Sequence, residues 1–213
     1  MCCAAMDTIT LSYFDAPTSR GEECRLALTL AGVDFHDDRI KSADWPARKA
    51  KTPFGSVPVL TVGGRELAQS NAILRYVARE YGLESKDPWQ RAQEDAVLES
   101  AEEIRMTIWQ ALRAGSTVEE KKAARGALAE GPIPHWGASV ETLIQGPFFS
   151  GETIGVADLK LFMIVTWVSS GVIDHLPVNL LADCPKLVRL HAAVGEHPQV
   201  KAFRARYAAK QLK

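Results

Sequence analysis

TPFGSVPVL, residues 52–60, is the stretch that most restricts the fold of this 213-residue sequence. The apolar, β-branched run from Val57 to Val62 predicts a strand. A proline leading into a central strand is unusual, because proline donates no hydrogen bond to the ladder. A cis Val57–Pro58 bond explains it, since the preceding backbone N–H and C=O then point outward and can pair with a peptide-like ligand. A simple edge strand is the alternative explanation.

Strand and helix patterns alternate on the amino-terminal side of this stretch. Residues 9–14 (ITLSYF) are short, β-branched and aromatic, which predicts a strand. Apolar residues then recur at helical spacing until Gly32, which supplies a helix stop. Residues 33–40 are a candidate second strand, whereas 45–51 are short and polar and carry only a weak helical pattern.

The carboxyl-terminal side continues the same alternation. Gly63-Gly64 predicts a two-residue hairpin turn. Ser70 is placed to cap a helix whose apolar residues fall on one face. The resulting order, β-α-β-(α)-β-β-α, is that of a compact α/β unit.

The chain beyond the polar linker at 82–87 has a helical pattern throughout. Helical spacing extends over 89–114 and 118–143, although Pro132 and Pro134 are expected to break the second of these segments. Residues 156–172 are apolar nearly all round, which predicts a central buried helix. Two further helices are expected near 185–194 and over 198–211.

These patterns predict a flexible extension over 1–7, an α/β domain over 8–82 and an all-helical domain over 89–213. The formal charge of −1 argues against a nucleic-acid surface or a polybasic membrane patch. No run approaches the roughly 18 apolar residues of a membrane-spanning helix. The five histidines show no ligand pairing, so no metal is expected.

The first six residues, Met1 to Met6, lack the pattern of a secretory signal, so a cytoplasmic location is expected. The four cysteines are then predicted to be reduced thiols. Cys2 and Cys3 either belong to the extension or precede a translation start at Met6. A third alternative is that they accept palmitate, although no glycine follows Met1 to support this with a myristoyl group.

Three features carry candidate chemistry. Tyr13 ends the first strand, where it is either a core tyrosine or a phenol aimed at a thiol. A hydroxyl donor near sulfur stabilises the thiolate and lowers the thiol pKa from about 8.5. The free N–H groups of a helix that starts at Ser70 can seat a carboxylate, although capping alone also explains this serine. The segment around Pro58 supplies the third feature.

Together these motifs resemble the cytosolic glutathione transferases, and within them the sigma class, which includes the glutathione-dependent prostaglandin D synthases. The resemblance is dense over 8–81 and looser over 89–210. It is carried by Tyr13, Arg20-x-Glu22-x-x-Arg25, Asp44-Trp45-Pro46-x-x-Lys49, Pro53-Phe54-Gly55-x-x-Pro58-Val59-Leu60, Gln69-Ser70-Asn71-Ala72-Ile73 and, in the second half, Gly155-x-x-Asp158.

The resemblance implies a thioredoxin-like α/β domain that binds glutathione, an all-α domain behind it, and a homodimer. Tyr13 would then donate to the glutathione sulfur as the catalytic residue. The remaining glutathione contacts implied are Arg20 near the thiol, Trp45 and Lys49 at the glycine end, Val57 and Pro58 at the cysteinyl unit, and Gln69 and Ser70 at the γ-glutamyl carboxylate.

The sequence also departs from the family pattern. The loop between Tyr13 and Arg20 is one residue longer, which leaves the pocket floor near the thiol open to question. Many relatives use an aspartate of the partner subunit to reach the γ-glutamyl amine, and Glu103 stands at that position with Glu102 beside it. Both glutamates also fit an ordinary solvated helix face. Gly155 replaces the usual Ser or Thr helix cap, which glycine can serve at little cost.

The predicted reaction is conjugation of the glutathione thiol to a small apolar electrophile. The electrophile is expected near Phe14 and the first long helix, at Arg105, Met106 and Trp109, although core packing is the alternative for Met106. Two other functions share the resemblance: a glutathione-dependent prostaglandin isomerase, and a non-catalytic module with the same fold. The full set of ligand-contact residue types argues against the second of these.

Overall fold

The computed structural model describes residues 8–17 and 19–211. The predicted extension over 1–7, with Cys2 and Cys3, lies outside the described residues. Cys24 and Cys184 are free thiols and both are buried, as expected for reduced cysteines. The chain divides into two compact units: one runs to Leu83 and resumes at Gln199, and the other covers Glu84–Pro198.

The first unit is built on a four-stranded mixed sheet of order β2-β1-β3-β4. β1 and β2 are parallel, which requires the intervening helix α1 as a crossover, and the other two pairings are antiparallel. The predicted α/β order is confirmed. Its elements are β1 (Ile9–Phe14), α1 (Ser19–Leu30), β2 (His36–Ile40), α2 (Trp45–Lys49), β3 (Val59–Val62), β4 (Arg65–Ala68) and α3 (Ser70–Tyr81).

The turn between β3 and β4 is the predicted two-residue hairpin. Gly63 and Gly64 both have positive φ, 54° and 81°, which a type I′ turn requires and which glycine adopts without a steric cost. The turn fixes the register, with Val62 opposite Arg65 and Val59 opposite Ala68. The first residue of β3, Val59, and the last residue of β4, Ala68, therefore lie side by side at one end of the strands.

The second unit is entirely helical over its regular elements. The predicted break of the 118–143 segment occurs at Gly131, directly before Pro132. The expected central helix is confirmed, because 11 of its 14 residues are buried. The helices are α4 (Pro88–Arg113), α5 (Val118–Glu130), α6 (Pro132–Leu143), α7 (Val156–Ser169) and α8 (Pro185–Glu196).

Helix α9 (Pro198–Gln211) returns to the first unit from Gln199 onward. Val200 is fully buried, and the side-chain amide of Gln199 donates to the carbonyl of Thr29 at the end of α1. The sequence pattern grouped this helix with the all-helical domain, because a helical period does not reveal which unit a helix packs against.

Several boundaries are shorter than the sequence pattern predicts. β2 begins at His36 and not at residue 33, and β3 begins at Val59 and not at Val57. The weak helical pattern over 45–51 forms the short helix α2. No helix in the described part of the chain is long and apolar enough to cross a membrane.

Candidate active site

Three predicted site residues, Tyr13, Pro58 and Gln69, lie next to a row of paired residues that crosses the sheet. Ser12, Val59 and Ala68 pair with one another on neighbouring strands β1, β3 and β4. Tyr13 and Pro58 each lie one position beyond this row, as does Gln69 on the strand β4 side. Continuing the antiparallel register therefore brings these three residues to the same edge, where their three chain segments leave the sheet.

The Val57–Pro58 peptide bond at this edge is cis, as the sequence analysis anticipated as one of its two explanations. Strand pairing of β3 begins at Val59, so Val57 stands outside the ladder on both sides. The backbone groups of Val57 are consequently not used in sheet pairing.

The start of α3 corrects the predicted cap. Gln69, not Ser70, occupies the N-cap position, and its carbonyl accepts from the amide of Ile73 at 3.0 Å. Gln69 has φ 74° and ψ 117°, a conformation that costs a non-glycine residue about 1–3 kcal/mol and that occurs at ligand sites. Ser70 is buried as the first residue of the helix, where the backbone N–H groups of the first turn lack intrahelical acceptors.

A series of aromatic rings joins the end of β1 to α2. The Tyr13 ring meets the Phe14 ring edge-on at 5.4 Å, and the Phe14 ring meets the Trp45 ring in the same manner at 5.2 Å. Lys49 follows Trp45 by one helical turn, so both side chains lie on one face of α2. A Cβ built on Gly55 would lie 3.7 Å from Cε of Lys49, so the lysine side chain lies close to the segment that leads to Pro58.

The Tyr13 side chain packs against helix α1. Its side chain is largely buried, at 9% exposure. A Cβ built on Gly21 would lie 2.0 Å from Cδ1 of Tyr13, so only glycine permits α1 to come this close. The guanidinium of Arg25 lies 5.7 Å from the centre of the same ring. The ring orientation of Tyr13 is therefore set by these two α1 residues.

Arg25 connects the loop after Tyr13 to β2, a role that the sequence analysis missed. It is fully buried and donates through Nε to Asp37 at 2.8 Å and through its two Nη atoms to the carbonyls of Ala16 and Phe14, both at 3.1 Å. Burial raises the pKa of the neighbouring Glu22, and the charge of Arg25 opposes that rise. A charged pair spaced i,i+3 within a buried helix face was the available sequence signal.

Arg48 positions α2 and was also missed. It binds both carboxylate oxygens of Asp38 on β2, one of them at 3.0 Å, and Ser12 on β1 donates to the same carboxylate at 2.7 Å. The hydrogen bond from Arg48 lowers the pKa of Asp38. Since Arg48 lies between Trp45 and Lys49 on a single turn of helix, this pair anchors both candidate ligand contacts to the sheet.

The predicted second-substrate residues have different environments on α4. Met106 and Trp109 are exposed at 48% and 41%, and the Trp109 ring lies 5.8 Å from that of Trp167 on α7. Arg105 is buried and binds the carboxylate of Glu102, which also accepts from the fully buried Lys160 of α7. Glu103, the predicted cross-subunit contact, is exposed.

Among residues 8–17 and 19–211, no three His, Cys, Asp or Glu side chains are grouped so that they could hold a metal ion. The candidate site residues of the first unit are instead hydrogen-bond donors, aromatic rings and one lysine: Tyr13, Trp45, Lys49, Gln69 and Ser70. This donor set suits an extended molecule that carries a thiol and carboxylates.

Two family models match the chain. The model described as "Glutathione S-transferase, N-terminal domain" matches residues 9–79. The model described as "Glutathione S-transferase, C-terminal domain" matches residues 102–206. Together they cover the α/β unit and most of the helical unit.

Similar proteins agree with these models. The chain is 43% identical over 205 residues to glutathione S-transferase 1 of Ascaris suum, covering 93% of this chain and 96% of that protein. It is 31% identical over 201 residues to the hematopoietic prostaglandin D synthase of Gallus gallus, with the same coverage of 93% and 96%. The structure of the Fasciola hepatica sigma class enzyme superposes with a TM-score of 0.81 at 26% identity, covering 94% of this chain and 97% of that one.

Proposed function

Because the chain belongs to the glutathione S-transferase family, we propose that it activates the thiol of glutathione and conjugates it to a small apolar electrophile. The reaction forms a carbon–sulfur bond between the glutathione thiolate and the electrophilic carbon. The electrophile's leaving group departs with the electron pair of its bond, or the electrophile's double bond takes up a proton. The proposed setting is a detoxifying role in the cytoplasm.

The observation that supports this proposal best is that Tyr13, Pro58 and Gln69 lie together at one edge of the sheet, each one position beyond the paired row of Ser12, Val59 and Ala68. This arrangement places a phenol, a backbone segment outside the ladder and the start of a helix side by side. A tripeptide lying along this edge would meet all three. Tyr13 would donate its hydroxyl to the sulfur and stabilise the thiolate, so that more of the nucleophile is present near neutral pH.

The two ends of glutathione carry carboxylates, and we propose a binding site for each. Lys49 would pair with the glycine carboxylate, with Trp45 beside it. Gln69 and Ser70 would bind the γ-glutamyl carboxylate at the start of α3, where unpaired N–H groups and the helix dipole favour an anion. The strained backbone of Gln69 supports a ligand-binding role for this position.

The remaining proposed glutathione contacts involve the backbone and a second subunit. Val57 would pair its backbone with the cysteinyl unit, and Arg20 would lie near the thiol. In the proposed homodimer, Glu103 would approach the γ-glutamyl amine of the partner subunit's glutathione, and its exposure in a single chain is compatible with this.

For the electrophile we propose contacts from Phe14 and from the exposed side chains Met106 and Trp109. The Arg105 side chain is buried and paired with Glu102 on the same helix, so of the three α4 residues Met106 and Trp109 are the proposed direct contacts.

A second candidate function, glutathione-dependent isomerisation of a prostaglandin endoperoxide, is favoured by the similarity to the avian prostaglandin D synthase.

The test compares the wild-type protein with Tyr13→Phe, using a generic aromatic halide as electrophile and calorimetry to measure glutathione binding. We expect the variant to bind glutathione and to lose about ten-fold or more of its turnover, because it retains the ring but lacks the donor to sulfur. Tyr76→Phe, a half-buried tyrosine on α3, is the matched control and should retain activity.

Other outcomes separate the candidates. Glutathione binding without turnover of the halide would favour the isomerase, which product analysis with an endoperoxide substrate then decides. Absence of glutathione binding by the wild-type protein would refute both enzymatic functions and leave a non-catalytic use of the fold.

A further inference from the structure

The turn that follows Tyr13 is held from outside by two elements distant in sequence. Oδ1 of Asp15 accepts from Nη1 of Arg39 on β2 at 3.1 Å and from the hydroxyl of Tyr207 on α9 at 3.4 Å. The guanidinium of Arg39 also lies over the Tyr207 ring, 4.3 Å from its centre. These three residues, Asp15, Arg39 and Tyr207, form a closed cluster that we term the α9 clasp.

The backbone around Asp15 is tied to the end of β1 as well. The amide of Asp15 donates to the carbonyl of Ile40 at 3.1 Å, and the amide of Ala16 donates to the carbonyl of Phe14 at 2.8 Å. Asp15 is two residues from Tyr13, so a displacement of the Asp15 side chain is transmitted through a short, hydrogen-bonded segment.

A second connection runs from the clasp to the Tyr13 ring. Nε of Arg39 donates to Oδ2 of Asp37 at 2.7 Å, and the other oxygen of Asp37 accepts from Arg25 at 2.8 Å. Arg25 binds the carbonyls of Phe14 and Ala16, on either side of Asp15, and lies 5.7 Å from the centre of the Tyr13 ring. The clasp and Arg25 therefore hold the same turn from its outer and inner sides.

The packing beside the clasp gives these polar contacts more weight than isolated surface pairs have. A cavity of about 320 Å³ lies within the first unit between the end of α1, β2 and α9, and both Arg39 and Tyr207 line it. Close apolar packing between α9 and β2 is thus interrupted at this point. An isolated exposed ion pair contributes little, but here the contacts join α9 to the turn across a gap in the packing.

We propose that the α9 clasp is a positioning device for thiol activation: Asp15, Arg39 and Tyr207 fix the turn after Tyr13 and thereby the placement of the Tyr13 hydroxyl. The effect on thiol activation rests on the proposed function, whereas the effect of the clasp on the turn after Tyr13 does not. The clasp residues are not among the proposed glutathione contacts; they would act through Tyr13. Breaking the clasp should therefore affect thiolate formation more than glutathione affinity, which depends on Trp45, Lys49, Gln69 and Ser70.

The variants that test this are Tyr207→Phe, which removes only the hydroxyl that donates to Asp15, and Asp15→Asn, which removes the charge that faces Arg39. Both are near-isosteric, so the fold is expected to persist. Asp34→Asn is the matched control, because Asp34 is an exposed aspartate that lines the same cavity.

The first measurement is backbone hydrogen exchange of the segment over 14–17 in the full-length protein without ligand. Exchange should be roughly three- to ten-fold faster in Tyr207→Phe and Asp15→Asn, the range expected for the loss of one ordinary, solvent-exposed hydrogen bond. The combined variant should show less than the product of the two single effects, because both contacts end on the same Asp15 oxygen. Unchanged exchange in both single variants, or equal acceleration in Asp34→Asn, would overturn the proposal.

The second measurement is titration of the enzyme-bound glutathione thiol by its ultraviolet thiolate absorbance, with kcat and KM for glutathione alongside. The clasp variants should raise the thiol pKa by roughly half a unit to one unit, which corresponds to a three- to ten-fold change, and lower kcat to match. KM should change less than about two-fold. A rise in KM without a change in thiol pKa would assign the clasp to glutathione binding and overturn the positioning role.

The two readouts separate this proposal from the proposed function. If the wild-type protein fails to bind glutathione, the proposed function fails, and hydrogen exchange alone still decides whether α9 holds the turn. If glutathione binds and is activated but exchange is insensitive to the clasp, only the present proposal fails.

Discussion

Gly21 determines how closely α1 can approach the catalytic candidate on β1. A Cβ at this position would lie 2.0 Å from Cδ1 and 2.7 Å from Cβ of Tyr13, far inside van der Waals contact. Gly21 does not have a positive φ, so its requirement is one of space and not of backbone conformation. The close approach in turn brings Arg25, one helical turn later, over the Tyr13 ring.

Replacement of Gly21 by alanine should therefore displace the Tyr13 ring. We expect Gly21→Ala to lower the free energy of unfolding by about 1–3 kcal/mol, the usual cost of overpacking, and to reduce turnover. Gly126→Ala is the control, because a Cβ on Gly126 in α5 would meet no neighbouring atom within 4 Å. That change should be neutral or stabilise by up to about 1 kcal/mol. Urea unfolding of both variants measures the difference, and equal behaviour would contradict the steric account.

Both carboxylate oxygens of Asp158 accept a hydrogen bond from a backbone amide. Oδ1 accepts from the amide of Phe149 at 2.7 Å, and Oδ2 accepts from the amide of Gly155 at 2.8 Å. Burial raises the pKa of Asp158 to about 7, against the effect of these two donors. The residue thereby joins the start of α7 to the preceding loop.

Asp158→Asn should destabilise the fold, because asparagine replaces one of the two acceptor oxygens with an NH2 group. That group is itself a donor, so the backbone N–H of Phe149 or of Gly155 loses its acceptor. The expected loss is about 1–3 kcal/mol, measured by urea unfolding of both proteins under the same conditions. Asp87→Asn is the matched control: Asp87 caps α4 through one contact with Gln90, and asparagine is an equally good cap. A similar loss in both variants would refute the two-donor explanation.

At the scale of the element, α2 is a helix of only five residues that carries two proposed glutathione contacts. Helices this short are not stable by themselves. The bidentate contact between Arg48 and Asp38 provides the external anchor, and Ser12 orients the carboxylate. The position of Trp45 and Lys49 thus depends on a pair that spans β2 and α2.

Arg48→Gln should raise KM for glutathione several-fold with little change in kcat, since α2 is loosened while Tyr13 is unaffected. Because the folded-state pKa of Asp38 is lowered, the pair stabilises the fold above the ordinary aspartate pKa of about 3.9, and this contribution is lost as the pH falls through the lowered value. The difference in unfolding free energy between wild type and variant, up to about 1 kcal/mol for a partly exposed pair, should accordingly vanish in acid.

Arg65→Gln serves as the control for this prediction, because Arg65 is an exposed arginine at the start of β4. It should leave KM unchanged. If Arg48→Gln alters kcat and leaves KM unchanged, the anchoring role of Arg48 is wrong.

At the scale of the whole molecule, all proposed glutathione contacts except the cross-subunit Glu103 fall in the unit formed by the first part of the chain and α9. A ligand that binds only the folded protein stabilises it, by about 2.7 kcal/mol at a hundred times Kd. Glutathione should therefore raise the unfolding midpoint, and the effect should depend on Lys49.

Lys49→Gln should leave the ligand-free stability within about 0.5 kcal/mol of wild type, because the side chain is exposed. It should lose about 1–3 kcal/mol of the glutathione-linked stabilisation with the charged contact. Lys51→Gln, another exposed lysine two residues away, should respond to glutathione as the wild type does. Thermal unfolding with and without glutathione compares the three proteins, and an unaltered response in Lys49→Gln would contradict the proposed carboxylate seat.

The sequence alone determined the type and order of the elements and the position of many of their ends. These features are local: the hairpin depends on Gly63-Gly64, the break between α5 and α6 on Gly131-Pro132, and most of the other strands and helices on their own apolar period. The candidate residues at the strand ends of the first unit were also predictable, since the ends of neighbouring strands meet at one edge of a sheet. Their roles remain predictions.

Only the tertiary structure decided which polar side chains are buried and what they bind. Periodicity placed Arg105 beside Met106 and Trp109, yet Arg105 is buried and donates to Glu102, which also accepts from Lys160, 58 residues further along the chain. Arg25 and Tyr207 likewise find partners on β2 and the turn after β1. A buried charge is tolerated only when it is paired. For Arg25 and Lys160 a partner lies on another element, so the pairing depends on packing between separate segments of the chain, which no local pattern encodes.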